Sequence, residues 1–400
     1  MSEEHLREMK DLAGSTNMMG NKTAVLRTGR VHRRILSNCR TVVALLAAVG
    51  WASTAPAQES AKWPEPREGD YVAKDFHFGD GSVMPELRLH YRTIGQPHRD
   101  GSGHVDNAVL ILHGTGGAGT QFLIPQFAEI LFVPGGLLDT AKYFIILPDD
   151  VGHGGSSKPS DGMHARFPKY DYDDMVLGEY LVVTKGLGVD HLRLIMGTSM
   201  GCMHSWVWGE TYPGFADALM PLACMPVQIA GRNRMTREMA MDAITSDPGW
   251  LGGEYKTQPL GLKTAIDMLI VMGSSSLQMQ KQYPTRDAAD AYLQKMWTSR
   301  MQALDANDLL YQFDSSRNYD PSKNLEKITV PVMAINSADD FINPPELEIV
   351  PREIKRVPKG KFVLLPITDA TRGYGTHTLP AIWSQYLAEL LKESEAVAAH

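Results

Sequence analysis

Apolar residues along the chain fall into two patterns, short continuous runs and longer stretches with helical spacing. Short, mainly apolar runs are typical of buried strands, and they occur at 108–113, 143–148, 192–196, 218–223, 330–336 and 361–365. Helical spacing occurs at 172–187, at 202–212 and at about 382–392. Strands that alternate with helices predict a mostly parallel central sheet with helices on both of its faces.

Two other patterns complete the predicted organisation. Residues 72–78 and 87–93 alternate between apolar and polar, which predicts an antiparallel pair of strands leading into the sheet. Residues 225–320 have a helical pattern, are rich in methionine and separate two predicted strands by more than an ordinary connection. We therefore predict a linker at 58–70 and a first part of the core at 71–224. An inserted helical cap at 225–320 and a second part of the core at 321–400 follow.

Residues 1–57 have the pattern of a secretory signal peptide and leader. An apolar run at 41–52 follows a basic flank, and Ala55-Pro56-Ala57 provides a small-residue cleavage site. The run is too short to span a bilayer comfortably, so no membrane anchor is expected. These features predict a periplasmic or secreted protein.

Composition narrows the class of protein. The chain of 400 residues is 43% apolar and 21% charged, with a net charge of −7 and no basic run, so nucleic acid is not expected as a partner. No Cys-x-x-Cys or histidine-rich spacing occurs, so neither a metal nor a cofactor is expected. Cys202 and Cys224 lie in apolar segments. An export signal permits a disulfide between them, but we expect two buried free thiols.

A serine motif stands between a predicted strand and a predicted helix. Gly197-Thr198-Ser199-Met200-Gly201 has the form G-x-S-x-G and follows the run at 192–196. In a strand–turn–helix context this motif is a nucleophile elbow, which exposes the serine hydroxyl and aims the next backbone N–H, that of Met200, at the substrate carbonyl. The structural alternative is a serine that only caps the helix.

Other predicted strand ends supply the groups that a serine nucleophile needs. The turn that begins at His113, after the run at 108–113, predicts the backbone N–H of Thr115 as a second oxyanion donor. A nucleophilic serine also needs an imidazole, and a carboxylate to orient it. In the α/β-hydrolase order of nucleophile, acid and base, Asp339 or Asp340 follows Ser199 and His377 follows both.

Further stretches extend this pattern, at 135–144, 167–176, 187–192, 197–203 and 338–345. With them, the chain resembles the homoserine O-acetyltransferase-like branch of the α/β-hydrolase superfamily from about residue 85 to 392. In that branch the acid stands four residues before a proline, which favours Asp340 because Pro344 follows at that distance. The branch usually has Gly-His in its last loop, where this chain has Gly373-Tyr374. We therefore expect His377 to serve as a displaced base and Tyr374 to line the pocket.

These features favour a serine hydrolase that cleaves carboxylic esters through an acyl-enzyme, with the triad Ser199, Asp340 and His377. A small hydrophobic ester is the expected substrate, because methionine suits an adaptable apolar pocket. The resemblance implies one alternative, an O-acyltransferase, but acetyl-CoA is not expected outside the cytoplasm. Tyr374 suggests another alternative, a non-catalytic ligand-binding protein. The methionine-rich cap also suits a homodimer.

Overall fold

One eight-stranded sheet forms the centre of the structure, a computed structural model that describes residues 63–398. The predicted signal peptide and leader at 1–57 lie outside the described residues. The strands are β1 Arg67–His77, β2 Val83–Ile94, β3 Ala108–Leu112, β4 Phe144–Pro148, β5 Leu194–Thr198, β6 Leu219–Leu222, β7 Val332–Ser337 and β8 Gly360–Leu365.

The strands follow the order β1-β2-β4-β3-β5-β6-β7-β8 across the sheet. β1 pairs with β2 and β2 with β4 in the antiparallel sense, and the other neighbours are parallel. The predicted fold class, a mostly parallel sheet entered through an antiparallel pair, is confirmed. The carboxyl ends of β3, β5 and β7 meet at one edge, where ligands bind in open α/β sheets.

The predicted linker is wrong at its carboxyl end, because β1 already begins at Arg67. The carboxylate of Glu68 accepts a hydrogen bond from Nε of Arg92 at 2.8 Å. Asp70 likewise bonds to Nδ1 of His90 at 2.9 Å. Pro64, Pro66 and Gly69 suggested a linker. The stretch from Arg67 nevertheless belongs to an edge strand, whose charged side chains pair with those of the neighbouring strand.

Helices cover the sheet, and those that follow β6 and precede β7 in the chain form a separate layer. They are α1 Pro125–Leu131, α2 Tyr172–Leu181, α3 Met200–Thr211, α4 Gly231–Thr245, α5 Leu260–Gly273, α6 Ser276–Gln282, α7 Arg286–Ala303, α8 Ala306–Asp314, α9 Ile349–Glu353 and α10 Pro380–Ala398. Among these described helices, none is long and apolar enough on its own to cross a membrane. Only α5 and α6 together, across a bend of 103°, reach that length and hydropathy.

Apolar side chains form a core on each face of the sheet, because successive residues of a strand point to opposite sides. In β3, Leu110 and Leu112 join one core, together with Trp206 of α3. Val109 and Ile111 join the other core. The helices α4, α5, α7 and α8 have an apolar core of their own, and they lie in the stretch predicted as a cap. Packing in these cores fixes the strands and α3 at the edge of the sheet where the carboxyl ends of β3, β5 and β7 meet.

Cys202 and Cys224 form a disulfide, so the expectation of two free thiols is wrong. Cys202 lies in the first turn of α3 and Cys224 just beyond β6, with Cα atoms 5.9 Å apart. Because β5 and β6 are neighbours in the sheet, the helix that leaves β5 starts close to the end of β6. The bond therefore joins the start of α3 to the segment that leads into the cap.

Candidate active site

Ser199 lies in the sharp turn between β5 and α3. Its backbone has φ 60° and ψ −112°, a region in which non-glycine residues are strained. A Cβ at Gly197 would lie 2.1 Å from the carbonyl oxygen of Gly201, and one at Gly201 would lie 2.2 Å from that of Leu112. The two glycines are needed because the first turn of α3 crosses directly over β3 and β5. This is the geometry of a nucleophile elbow.

The loop after β3 lies beside the same serine. His113 is fully buried, its Nε2 accepts the backbone N–H of Asp150 at 3.1 Å, and its Nδ1 donates to the Gly114 carbonyl at 2.9 Å. The ring therefore holds the loop in place. Within residues 63–398, the backbone N–H groups of Thr115 and Met200 donate to no protein acceptor. Both remain available to a developing oxyanion.

The two aspartates after β7 have different partners. Asp340 is only 3% exposed and accepts two backbone N–H groups of its own turn at 2.7 and 3.0 Å. Burial raises the pKa of Asp340 to about 6, and these hydrogen bonds oppose the rise. Asp339 instead accepts the Ser275 hydroxyl of the cap at 3.2 Å and the Gly373 N–H at 2.9 Å. Asp339 therefore braces the last loop against the cap.

Tyr374, rather than His377, adjoins Ser199. Burial raises the pKa of Tyr374 well above its usual value, and the nearby Ser199 side chain opposes this rise; both residues line the same cavity. Nδ1 of His377 donates instead to the carbonyl oxygen of Tyr374 at 2.6 Å. Burial also lowers the pKa of His377 to about 4, so its imidazole is neutral at neutral pH. In the described part of the chain, no hydrogen bond joins His377 to Ser199 or to Asp340.

Tyr374 forms part of the wall between two cavities. The larger cavity, of about 110 Å³, is lined by Ser199 and Tyr374 among others. The smaller one, of about 10 Å³, is lined by Asp340, His377 and again Tyr374. Among the described residues, Ala223 and Tyr374 alone line both cavities. The phenol therefore stands between the serine and the imidazole that the sequence predicts as its base.

Apolar side chains from the cap and the core enclose the larger cavity, and they include Met203, Met225, Leu269, Met272, Phe313 and Ile342. Not every cap methionine contributes, since Met235 and Met239 are 58% and 50% exposed. Arg237 of α4 is the one charged side chain among the described lining residues. Sequence reasoning missed it, because nothing in the sequence separates Arg237 from the neighbouring arginines 232 and 234.

A second polar cluster is buried between α2 and α3. The ligand atoms of Asp150, Glu179 and His204 lie within 4.8 Å of one another. Glu179 accepts Nδ1–H of His204 at 2.7 Å and also the indole N–H of Trp208. Burial raises the pKa of Glu179 to about 7 and that of Asp150 well above its usual value. Because these hydrogen bonds already use the Glu179 oxygens that a metal would need, we assign the cluster a role in joining α2 to α3.

Residues 107–366 match a protein family described as the alpha/beta hydrolase fold. The chain belongs to this family. Within the α/β-hydrolases, it is 28% identical over 296 residues to a probable acyltransferase of Methanothermobacter thermautotrophicus, an alignment that covers 74% of this chain and 89% of that protein. It is 25% identical over 338 residues to a homoserine O-acetyltransferase of Thermobifida fusca, with coverages of 73% and 87%.

The solved structure of an esterase, E22, shares the α/β-hydrolase fold of this chain. It superposes with a TM-score of 0.71 at 17% identity, covering 82% of this chain and 100% of the esterase. At this identity the likeness concerns the fold alone. The sequence relatives confirm the predicted resemblance to homoserine O-acetyltransferase-like α/β-hydrolases.

Proposed function

We propose that this α/β-hydrolase is a serine hydrolase of carboxylic esters. The observation that carries the proposal is Ser199, held at φ 60° in an elbow on the wall of an apolar cavity of about 110 Å³. Two unused backbone N–H groups, those of Thr115 and Met200, lie in the turns beside it. A serine so placed is suited to attack an acyl carbonyl whose oxyanion those groups bind.

The proposed reaction passes through an acyl-enzyme on Ser199. The Oγ–C bond forms as the serine proton moves to His377, and the same proton then goes to the leaving alcohol as the ester bond breaks. Water then attacks the acyl-enzyme while His377 takes a proton from it. The same proton returns to Ser199 Oγ as the acid is released. Asp340 orients the imidazole, and each oxyanion donor contributes roughly 10²-fold or more to the rate.

Tyr374 must move in this proposal, because its phenol occupies the space beside Ser199. His377 is neutral, as a base must be, and it shares the smaller cavity with Asp340. We therefore propose that the side chain of Tyr374 separates His377, the base, from Ser199 until the phenol moves. Displacement of the phenol, with rotation of His377 away from the Tyr374 carbonyl, joins nucleophile and base.

Hydrolysis of p-nitrophenyl esters from acetate to octanoate, measured on the oxidised protein, tests this proposal. We expect Ser199→Ala to remove turnover and labelling by a serine-directed phosphonate, and His377→Ala to lower the rate by roughly 10²-fold or more. His98→Ala is the matched control, since His98 is exposed and pairs only with Asp106. Full activity in Ser199→Ala would overturn the hydrolase proposal. Unchanged activity in His377→Ala would remove His377 from it.

Acyl transfer to an alcohol is the second candidate, and the two curated relatives described above favour it, since they are acyltransferases by name. It uses the same acyl-enzyme but requires an alcohol acceptor that outcompetes water. Adding homoserine or another small alcohol to the ester assay separates the two reactions, because a transferase forms the new ester faster than free acid. Turnover that depends on an acyl-CoA donor would also favour the transferase. Binding without any turnover would favour a ligand-binding protein.

We also propose export to the periplasm or the medium. The pattern at 1–57 supports this location, and so does the disulfide, since disulfides persist mainly in oxidising compartments. Fractionation of expressing cells tests it, and a purely cytoplasmic, reduced protein would contradict it.

A homodimer formed through the cap is a further part of the proposal. Exposed apolar side chains of the cap support it, with Leu260 at 77% and Leu277 at 57% exposure. Light scattering is expected to give twice the monomer mass, and Leu260→Glu is expected to halve it. A monomer in the wild type would remove this part.

A further inference from the structure

Arg237 carries a buried positive charge in the larger cavity without an acidic partner. It is 6% exposed, and its Nε donates to Asn233 Oδ1 at 3.0 Å. One further N–H donates to the Ser316 hydroxyl at 3.3 Å. No described carboxylate forms an ion pair with it, whereas Arg234 on the same helix pairs with Glu238. Because a buried charge is costly without an opposite charge, a missing partner is indicated.

Two hydroxyl groups close to Arg237 also lack partners. Thr115 Oγ1 and Tyr172 Oη are buried and have no hydrogen-bond partner within the described residues. Thr115 lines the same cavity as Arg237. Burial raises the pKa of Tyr172, and the positive charge of Arg237 and the nearby Arg237, Ser316 and Thr115 side chains oppose the rise. Arg237 and Thr115 both line the cavity; the guanidinium can only donate and the Thr115 hydroxyl can also donate, so one acceptor bound in the cavity could serve both.

We propose that the larger cavity binds esters carrying a free carboxylate, with Arg237 as the residue that recognises it. The planar guanidinium matches a carboxylate in shape and charge and binds it through paired N–H groups. The remaining walls are apolar, so the substrate has an apolar body between its carboxylate and the ester group at Ser199. This inference deepens the proposed function and rests on it, and it adds a charged group to the hydrophobic ester expected from the sequence.

A purely structural role for Arg237 makes a different prediction. Its two observed hydrogen bonds run to Asn233 and Ser316, and a glutamine at this position keeps a polar side chain with N–H donors. The Arg237 guanidinium also lies 5.8 Å from the centre of the Phe313 ring, a contact that uses the positive charge, but neither this contact nor the two hydrogen bonds would make binding depend on the charge of a ligand. Discrimination between charged and neutral ligands separates the two roles.

Binding to the Ser199→Ala protein, measured by titration calorimetry, tests the proposal without turnover. One probe pair is monomethyl succinate against dimethyl succinate, with the carboxylate on the acyl side. The other pair is O-acetylglycolate against its methyl ester, with the carboxylate on the alcohol side. We expect the anionic member of at least one pair to bind 10-fold or more tightly than its neutral partner. That preference should disappear in Arg237→Gln and weaken in Arg237→Lys.

Arg234→Gln is the matched control, because it removes a charge from the same helix outside the cavity lining, and it should leave the preference unchanged. Equal binding of anionic and neutral probes by the Ser199→Ala protein overturns the proposal, and this result needs no variant at Arg237. A preference that survives Arg237→Gln in a folded protein overturns it as well. Failure of ester hydrolysis with the anionic preference intact would contradict the proposed function and leave this site standing.

Discussion

The phenol of Tyr374 lies beside Ser199 and limits the proton transfers that are open to this serine. Burial raises the pKa of Tyr374 well above its usual value, so at neutral pH the phenol holds its proton and cannot accept one from Ser199. Tyr374 also lies against the cavity that contains Asp340 and His377. It therefore stands where an imidazole would connect serine and carboxylate.

Replacement of the phenol by an imidazole should activate the serine. In Tyr374→His the new ring has Ser199 on one side and Asp340 on the other, so we expect kcat for p-nitrophenyl esters to rise by about 10²-fold or more. Steady-state kinetics measure this change. Tyr374→Phe is the control, because it keeps the ring and removes the hydroxyl. A histidine variant no faster than the phenylalanine variant would show that this position does not limit the reaction.

The acid limb of the pH–rate profile should reflect protonation of the Asp340 carboxylate. Its pKa is raised to about 6, whereas that of His377 is lowered to about 4. As the pH falls through 6, Asp340 gains a proton and ceases to stabilise an imidazolium, while His377 is still neutral. We therefore expect kcat/KM to fall below pH 6 and to be flat between pH 7 and 8. A limb near pH 4 would assign the loss to the histidine instead.

At the residue scale, the sharp turn at Ser199 was predictable from a local motif, because strand, turn and helix are continuous in the chain, whereas the roles of Ser199, Thr115 and Met200 stay predictions. The sequence did not predict that His377 would bond to the Tyr374 carbonyl. That contact depends on how the loop after β8 folds against Trp383, whose indole N–H donates to the His377 carbonyl at 3.1 Å. His377 lies three residues after the position at which a histidine is expected, and it lines the smaller cavity instead of the one that Ser199 lines.

At the scale of elements, the disulfide fixes the elbow helix to the end of β6. Cys202 lies three residues after Ser199, and Cys224 lines the larger cavity with Ser199. Any motion of the segment after β6 is therefore limited by the covalent link to α3. The bond stabilises the site as well as the fold.

Removal of this bond should destabilise the protein measurably. For a loop of 22 residues, closure entropy predicts a loss of about 3 kcal/mol in the free energy of unfolding. Denaturant unfolding of the double variant Cys202→Ser/Cys224→Ser measures the loss. Wild type with reducing agent is the parallel sample and should lose a similar amount. Equal midpoints for oxidised and reduced wild type would contradict the prediction.

The strands and helices were predictable because their pattern is local, whereas their contacts were not. The apolar runs of the core strands locate β3 to β8 to within about two residues. β1 was placed too late because its first residues are charged and pair across the edge of the sheet. The cysteine pair was misjudged because the approach of α3 to β6 follows from the strand order, which the apolar pattern does not specify.

At the scale of the whole molecule, buried carboxyl groups shape the response to pH. Burial raises the pKa of Glu179 and of Glu210 to about 7, above the ordinary value near 4.3 for an unfolded chain. The lowered pKa values of the buried histidines 153, 204 and 377 act mainly below about pH 7, because an unfolded histidine, whose pKa is near 6.5, is mostly neutral above that pH. Above that pH the carboxyl groups dominate.

The protein should therefore lose stability between about pH 7 and 8. In this range the unfolded chain has released its carboxyl protons, whereas the folded protein still holds part of them, so raising the pH favours unfolding. Denaturant unfolding at several pH values measures the slope, and Glu179→Gln should make it shallower. Glu346→Gln, an exposed site in the short 3₁₀ helix Pro345–Leu347, is the control. A free energy of unfolding that rises over this range would contradict the prediction.

The position of Tyr374 has a genetic consequence. Histidine and tyrosine codons differ in a single nucleotide, so a base change in one codon is enough to exchange an imidazole for the phenol that separates Ser199 from His377. The rest of the machinery, from the strained elbow to the disulfide, is untouched by that exchange. If Tyr374→His activates Ser199 as predicted, a lineage with this scaffold can gain or lose that activity in one mutational step, without first losing the fold.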